Sequence, residues 1–297
     1  MRVNRSVTPT SMGHDMRKVI RTEITDLERA YYGSNGLSFS YITIKGPADG
    51  ESSFKECRNI DISNSKFYLR YPFWHNTNAD YYRISLAKTA RAPWWYDKNI
   101  TLNKVKCKGV KALRECKNIT IIDSNFESIE FGWNCHNVLV FDSSLEGFYA
   151  FFGSTEITIN NINFKGKYSF QYTRNVEVSN SYLDTKDAFW HTKNAVIVNC
   201  TVKGEYLAWY SENITFVNCK IIGTQPFCYC KGLKLINCTT EDCDLAFENS
   251  EVEGNIIGDI ISIKNPMKGK LVVTGKIGEI IIDEHDRSNG QFELINK

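Results

Sequence analysis

Long hydrophobic runs are missing. No stretch of 18 apolar residues occurs in the 297-residue chain, so no transmembrane helix is expected. The opening MRVNRSVTPTSMGHDMRKVIRTEITD lacks the apolar core of a secretory leader, and no signal peptide is expected. Excess charge of one sign is missing too. The formal net charge is +2, which gives no global attraction to polyanions, so neither a nucleic acid nor a membrane is expected as a partner. Zinc-type ligand sets are absent. Cys228-Tyr229-Cys230 is a CxC with no second half, and His14, His136 and His285 stand alone. No metal and no cofactor is expected.

Cysteine is not scarce, with 10 in the chain. Cys57, Cys116, Cys135 and Cys230 share one position of a repeat, and Cys200, Cys219 and Cys238 share another. Ser or Thr fills those positions elsewhere, at Ser154, Thr173, Thr192 and Ser211, and at Ser124, Ser143 and Ser181. Cysteine therefore behaves as a small buried side chain. Stacked neighbours about 4.8 Å apart would tolerate a disulfide, but several partners would be missing. Reduced thiols and a cytoplasmic location are the expectation.

What the chain does have is a period. CKNITIIDSNF at 116–126 returns as CHNVLVFDSSL, STEITINNINF, TRNVEVSNSYL, TKNAVIVNCTV, SENITFVNCKI and CKGLKLINCTT, each 19 residues after the last. Take the Asn of NIT as the anchor: Asn59, Asn78, Asn99, Asn118, Asn137, Glu156, Asn175, Asn194, Asn213, Gly232 and Glu251. Positions one, three and eight after it are apolar, as in Ile119, Ile121 and Phe126, and five after it is Asn or Asp. Ten after it is often Gly, as at Gly109, Gly147, Gly166, Gly204 and Gly223. Each copy then reads as three short strands with Asn, Asp or Gly corners. Nineteen residues cannot hold a strand, a crossover helix and a return. The fold class is all-β: a single-stranded right-handed parallel β-helix, about 19 residues per coil. The organisation expected is a disordered lead at 1–15, an irregular N-terminal coil or cap at 16–56, the regular β-helix at 57–251, and narrower coils with a tail at 252–297. All belong to one structural domain.

The segment before each anchor is rich in rings. Strict alternation would turn positions minus six, minus four and minus two inward, with Trp74, Trp95, Trp133, Trp190 and Trp209 as core. It would turn minus seven, minus five and minus three outward, as a wall of aromatics with scattered polar groups. The candidate ligand-binding residues on that wall are Trp94, Tyr96, Asn134, Phe170, Tyr172, His191, Tyr210 and Tyr229. Three occupants are open: an extended oligo- or polysaccharide, a second copy of the chain in a homo-oligomer, or the protein's own terminal segments. Catalysis has a weaker case. Two glycosidase carboxylates should lie about 5–10 Å apart, whereas Glu115 and Glu130 come out roughly 14 Å apart by strand geometry. The densest polar neighbourhood is Arg91, Tyr96, Lys111, Glu115 and Asn134, which nominates Glu115, Arg91 and Lys111 as the weak catalytic candidates. A solvated salt-linked patch is the blander reading of the same residues.

Several stretches carry a resemblance: GESSFKECRNIDISNSKF, YPFW, TARAPWWYDKNI, KDAFWHTKN, GEYLAWYSENITFVNC, LAFENS and IKNPMKGKL. From about Leu27 to Glu284 the chain resembles the bacterial family known as domain of unknown function 3737. The resemblance implies a right-handed parallel β-helix related in fold to pectin lyases, and it implies no activity. The fold's link to polysaccharides is analogy. The polygalacturonase pattern of NTD, DD, HG and RIK is not present. The reading is a β-helix binding module, carbohydrate-binding through its aromatic wall. The alternatives are a self-association scaffold without catalysis and, second, a polysaccharide-active lyase or hydrolase.

Overall fold

The computed structural model describes residues 19–297. Within them the chain is a parallel β-solenoid without a helix. Register follows the sequence period: Ile119 pairs with Val138, Val138 with Ile157, Ile157 with Val176, Val176 with Ala195 and Ala195 with Ile214, all parallel. Each coil carries a six-residue strand around the anchor, such as Lys117–Ile122, and a shorter one after the corner, such as Asn125–Glu127. In three coils the pair merges into one strand, His136–Phe148, Thr155–Lys167 and Leu233–Glu241. Period-2 patterning sends Ile119, Ile121 and Phe126 inward, each at most 1% exposed.

The third side of the coil is not the regular strand that alternation implied. From Cys57 to Glu241, apart from the pairing of Trp94–Trp95 with Leu113–Arg114 and a bridge from Arg114 to Trp133, it is a run of turns hydrogen-bonded between coils. Positions minus seven and minus three hold positive φ, and minus five joins them from Gly132 to Phe227, as at Tyr168 (60°), Phe170 (58°) and Tyr172 (58°), whereas Phe54, Phe73, Trp94 and Leu113 at minus five do not. Non-glycine residues avoid that region because Cβ crowds the carbonyl. Here neighbouring coils repeat the geometry, and bonds such as Tyr168 N–H to Lys186 O (2.7 Å), Phe170 N–H to Ala150 O (2.8 Å) and Tyr172 N–H to Trp190 O (2.8 Å) fix it from above and below.

The corners behave as chemistry demands. Anchor asparagines bond side chain to side chain up the solenoid: Asn78 donates to Asn59 at 2.9 Å, Asn99 to Asn78 at 2.9 Å and Asn118 to Asn99 at 2.7 Å. A second ladder runs through Asn199, Asn218 and Asn237. Gly166 serves close approach rather than positive φ: a Cβ there would meet Gly147 O at 1.8 Å.

All ten cysteines are free and buried. The position two before the anchor shows why it takes Cys, Ser, Thr, Asn or Asp. Its side chain donates inward to the preceding coil, as from Cys116 Sγ to Trp94 O (3.3 Å) or Thr192 Oγ1 to Phe170 O (2.6 Å). It also accepts the N–H of the residue below, as Ser154 Oγ does from Cys135 (2.8 Å). An unsatisfied buried N–H would be costly, so the column is polar inside an apolar core. The C-terminal coils vary in length: Glu251 pairs with Lys268, a step of 17 residues (268 − 251), and Gly269 with Phe292, a step of 23 (292 − 269). Pairing starts at Val19, which stacks on Ser38. The lead at 1–15 lies outside the described residues.

Candidate functional site: an aromatic wall

The turns before each anchor decide what faces solvent. Two residues point in, at minus six and minus five, and the next two point out. Trp94 and Phe170 are therefore not on the wall: both are 0% exposed. They belong to an inner ring stack, Phe73 on Trp94 at 5.4 Å and Phe151–Phe170–Phe189 at 5.0 and 4.7 Å. Alternation fails because positive φ at the residues around them, Ala92 and Tyr96 for Trp94 and Tyr168 and Tyr172 for Phe170, with Phe170 itself, breaks the two-sided geometry of the chain.

The minus-four indoles, read from sequence as core, are half-exposed instead and underlie the wall, while Gln171, Cys228 and Phe247 in the same column are buried. Trp74 and Trp95 stack at 4.9 Å and 5°, and Trp190 and Trp209 at 5.5 Å and 2°. Their indole N–H groups donate to the carbonyl 16 to 18 residues on: Trp74 to Ala92 (2.7 Å), Trp95 to Lys111 (2.9 Å), Trp133 to Tyr149 (2.6 Å), Trp190 to Tyr206 (2.8 Å) and Trp209 to Gln225 (2.7 Å). A signal for this was present in Trp94-Trp95: two adjacent indoles cannot share one interior, and one needed an acceptor at the rim. Gln171 reproduces the bond, donating to Asp187 O at 3.3 Å. Arg114 lies between Trp95 and Trp133, 4.7 and 4.8 Å from their centroids, and bonds Glu130 at 2.6 Å.

Beside this column the minus-three residues face out. Tyr172, His191, Tyr210 and Tyr229 form a continuous stack over four coils, with centroids 4.9, 5.0 and 4.8 Å apart and planes within 12° of parallel. Tyr172 is 51% and Tyr210 42% exposed. Among the described residues, no hydrogen bond engages the three tyrosine hydroxyls or the His191 ring. Burial, then Glu248, raises the Tyr229 pKa. Tyr96 stacks on His75 at 4.9 Å in a separate, lower segment. Asn134 is exposed between the two segments, its amide oxygen against Gly153.

The catalytic candidates do not converge. Arg91 donates to Tyr71 Oη at 2.7 Å. Lys111 pairs with Glu130 at 3.4 Å, and Glu130 is the acid that Arg114 already binds. Glu115 is exposed, and among the described residues no ion pair reaches its carboxylate. No group of three or more His, Cys, Asp or Glu among the described residues could hold a metal ion. Two concave surfaces follow the polar corners. One of about 400 Å³ touches Asn137, Asn175, Asn194 and Glu177, and one of about 600 Å³ touches Asp142, Asn161, Asn180 and Asn199.

No curated protein matches the chain. Among solved structures it is similar to the surface adhesin PfbA of Streptococcus pneumoniae, at 10% identity and a TM-score of 0.42, covering 95% of this chain and 83% of that one. It is similar to the A-module of the Azotobacter vinelandii mannuronan C-5 epimerase AlgE4, at 12% identity and a TM-score of 0.27, covering 89% and 86%. It is also similar to the catalytic domain of a GH87 α-1,3-glucanase in complex with nigerose, at 9% identity and a TM-score of 0.33, covering 94% and 64%. The sequence model described as "Protein of unknown function (DUF3737)" matches residues 18–295, and the chain belongs to that family.

Proposed function

We propose that the protein is a binding module whose aromatic wall takes an extended oligo- or polysaccharide. The observation that carries this is the Tyr172–His191–Tyr210–Tyr229 stack. Rings stacked face to face spend their faces on each other and turn their edges outward. The wall therefore offers a row of hydroxyl and imidazole edges at coil spacing, without protein partners among the described residues. Each group both donates and accepts, which suits a ligand bearing a hydroxyl row of its own. A linear polymer lying along the solenoid axis meets one such group per coil. The indoles beneath hold the row rigid, so little order is lost on binding.

The test is a glycan array probed with wild-type protein and with Tyr210→Ala. The expected result is binding to a linear glycan that weakens by about tenfold or more in the variant, the effect of roughly 1.4 kcal/mol. Failure of wild-type protein to bind any glycan overturns the reading. A concentration-dependent dimer that Tyr210→Asp disperses would assign the wall to self-association instead.

A further inference from the structure

The edges of the main stack cannot offer a ring face to a sugar, and sugars carry an apolar face as well as hydroxyls. One place on the wall supplies both. At the minus-seven position Tyr149 and Tyr168 stack at 4.8 Å and 21°. The next coil carries Asp187 in that column, so the ladder breaks there. Among the described residues no ring or cation stacks on the second face of Tyr168. Above the break, Tyr206 has its ring covered by the Lys186 ammonium, 4.9 Å from the centroid, which Glu205 holds at 2.7 Å.

Asp187 itself is unusual. Only 6% of it is exposed, and among the described residues no hydrogen bond reaches its carboxylate. Its backbone carbonyl takes the Gln171 amide, and its N–H donates to Glu205 O at 2.9 Å, so the main chain is fixed from both sides. Burial first, and Glu205 in addition, raises its pKa, with Lys186 and Lys167 opposing. Among the described residues its carboxylate oxygens are not fully enclosed, so a ligand hydroxyl can reach a carboxylate that no protein donor holds.

We propose that this break in the ring ladder is a subsite for one pyranose ring, its apolar face on the free face of Tyr168 and its hydroxyls on Asp187. The proposal rests on the oligosaccharide reading of the wall and names where a sugar ring, rather than only its edge groups, is read.

The experiment is titration calorimetry on folded full-length protein. The probes are β-1,4-linked hexamers of glucose, xylose, mannose and N-acetylglucosamine, and an oligogalacturonate. Asp187→Ala and Tyr168→Ala should each weaken the best probe about tenfold or more, the effect of roughly 1.4 kcal/mol. Tyr168→Phe, which keeps the ring face, should stay within about twofold. Asp187→Asn, isosteric and still able to accept a hydrogen bond, should fall between and decides the matter if the alanine variant does not fold. If both alanine variants bind as wild type while Tyr210→Ala loses affinity, the subsite is wrong and the wall stands. If wild-type protein binds no probe, both fall.

Discussion

Asp97 shows how strictly one residue is governed by its place in the coil. It sits in the inward polar column, 0% exposed, where other coils carry Cys, Ser, Thr or Asn. One carboxylate oxygen accepts the Asn76 N–H at 2.8 Å, and the other has no partner. Burial holds its pKa well above the ordinary carboxylate value, with the Cys116 thiol adding to the rise. The consequence has a sign. Between the unfolded value, about 3.9, and the raised folded value, the folded state keeps a proton that the unfolded state has lost. Stability is then full below the unfolded value and is lost as pH rises, by up to about 1.4 kcal/mol per pH unit. Asp97→Asn removes the titration and keeps the acceptor for Asn76. Urea denaturation should find it more stable than wild type at about pH 8 by at least about 1 kcal/mol, with the gap closing towards about pH 4. Equal stability at the higher pH would mean the Asp97 charge is not being suppressed. On the wall, Asp187 titrates under the same influence of burial, with Lys186, Glu205 and Lys167 as the charges acting on it and Tyr168 and Tyr206 at the same position of the coils either side. Its ionised form is the better hydrogen-bond acceptor, so ligand affinity should fall as pH drops through its raised value, and Asp187→Asn should flatten that dependence.

At the scale of the element, the coil is set by how closely backbones stack. Gly166→Ala would drive a Cβ into Gly147 O, which lies 1.8 Å from where that atom must go. Both atoms belong to main chain that cannot yield without disturbing the paired coils Thr155–Lys167 and His136–Phe148. A loss of about 1–3 kcal/mol in chemical denaturation is expected, and a neutral result would mean the corner is looser than the stacking requires. Elements also explain what could be read in advance. The Lys117–Ile122 type of strand was legible because period-2 burial and corner asparagines act together and repeat. The wall was legible only as a location. Alternation put Trp94 and Phe170 outside and Trp190 and Trp209 inside, and the opposite holds. The cause is the positive φ at Tyr168, Phe170 and Tyr172, and at Ala92 and Tyr96 on either side of Trp94. Nothing in local sequence preference announces that geometry, since Tyr and Phe are poor choices for it. It exists because stacked neighbours impose it. Tyr96, Tyr172, Tyr210 and Tyr229 were placed on the outer side at minus three for the same alternation, and that position does lie outside. Asp187 and Glu130 needed spatial neighbours from adjacent coils before they meant anything.

At the scale of the molecule, a uniform 19-residue repeat gives a rod with one ring-rich side, and the central claim is that this side meets the ligand. The claim has an ionic signature. The exposed row is built of uncharged hydroxyls and an imidazole, and the net charge is +2. Affinity for a neutral oligosaccharide should therefore change by less than about twofold between low and high salt. The most direct test is hydroxyl-radical footprinting of wild-type protein with and without the best-binding oligosaccharide. Tyr32 and Tyr41, at 52% and 59% exposure on other coils, serve as internal controls. Protection of Tyr172, His191, Tyr210 and Tyr229 is expected, with Tyr168 following, and unchanged labelling of the two controls. Protection confined to the polar corners along Asn137, Asn175 and Asn194, or none on the ring stack, would contradict it.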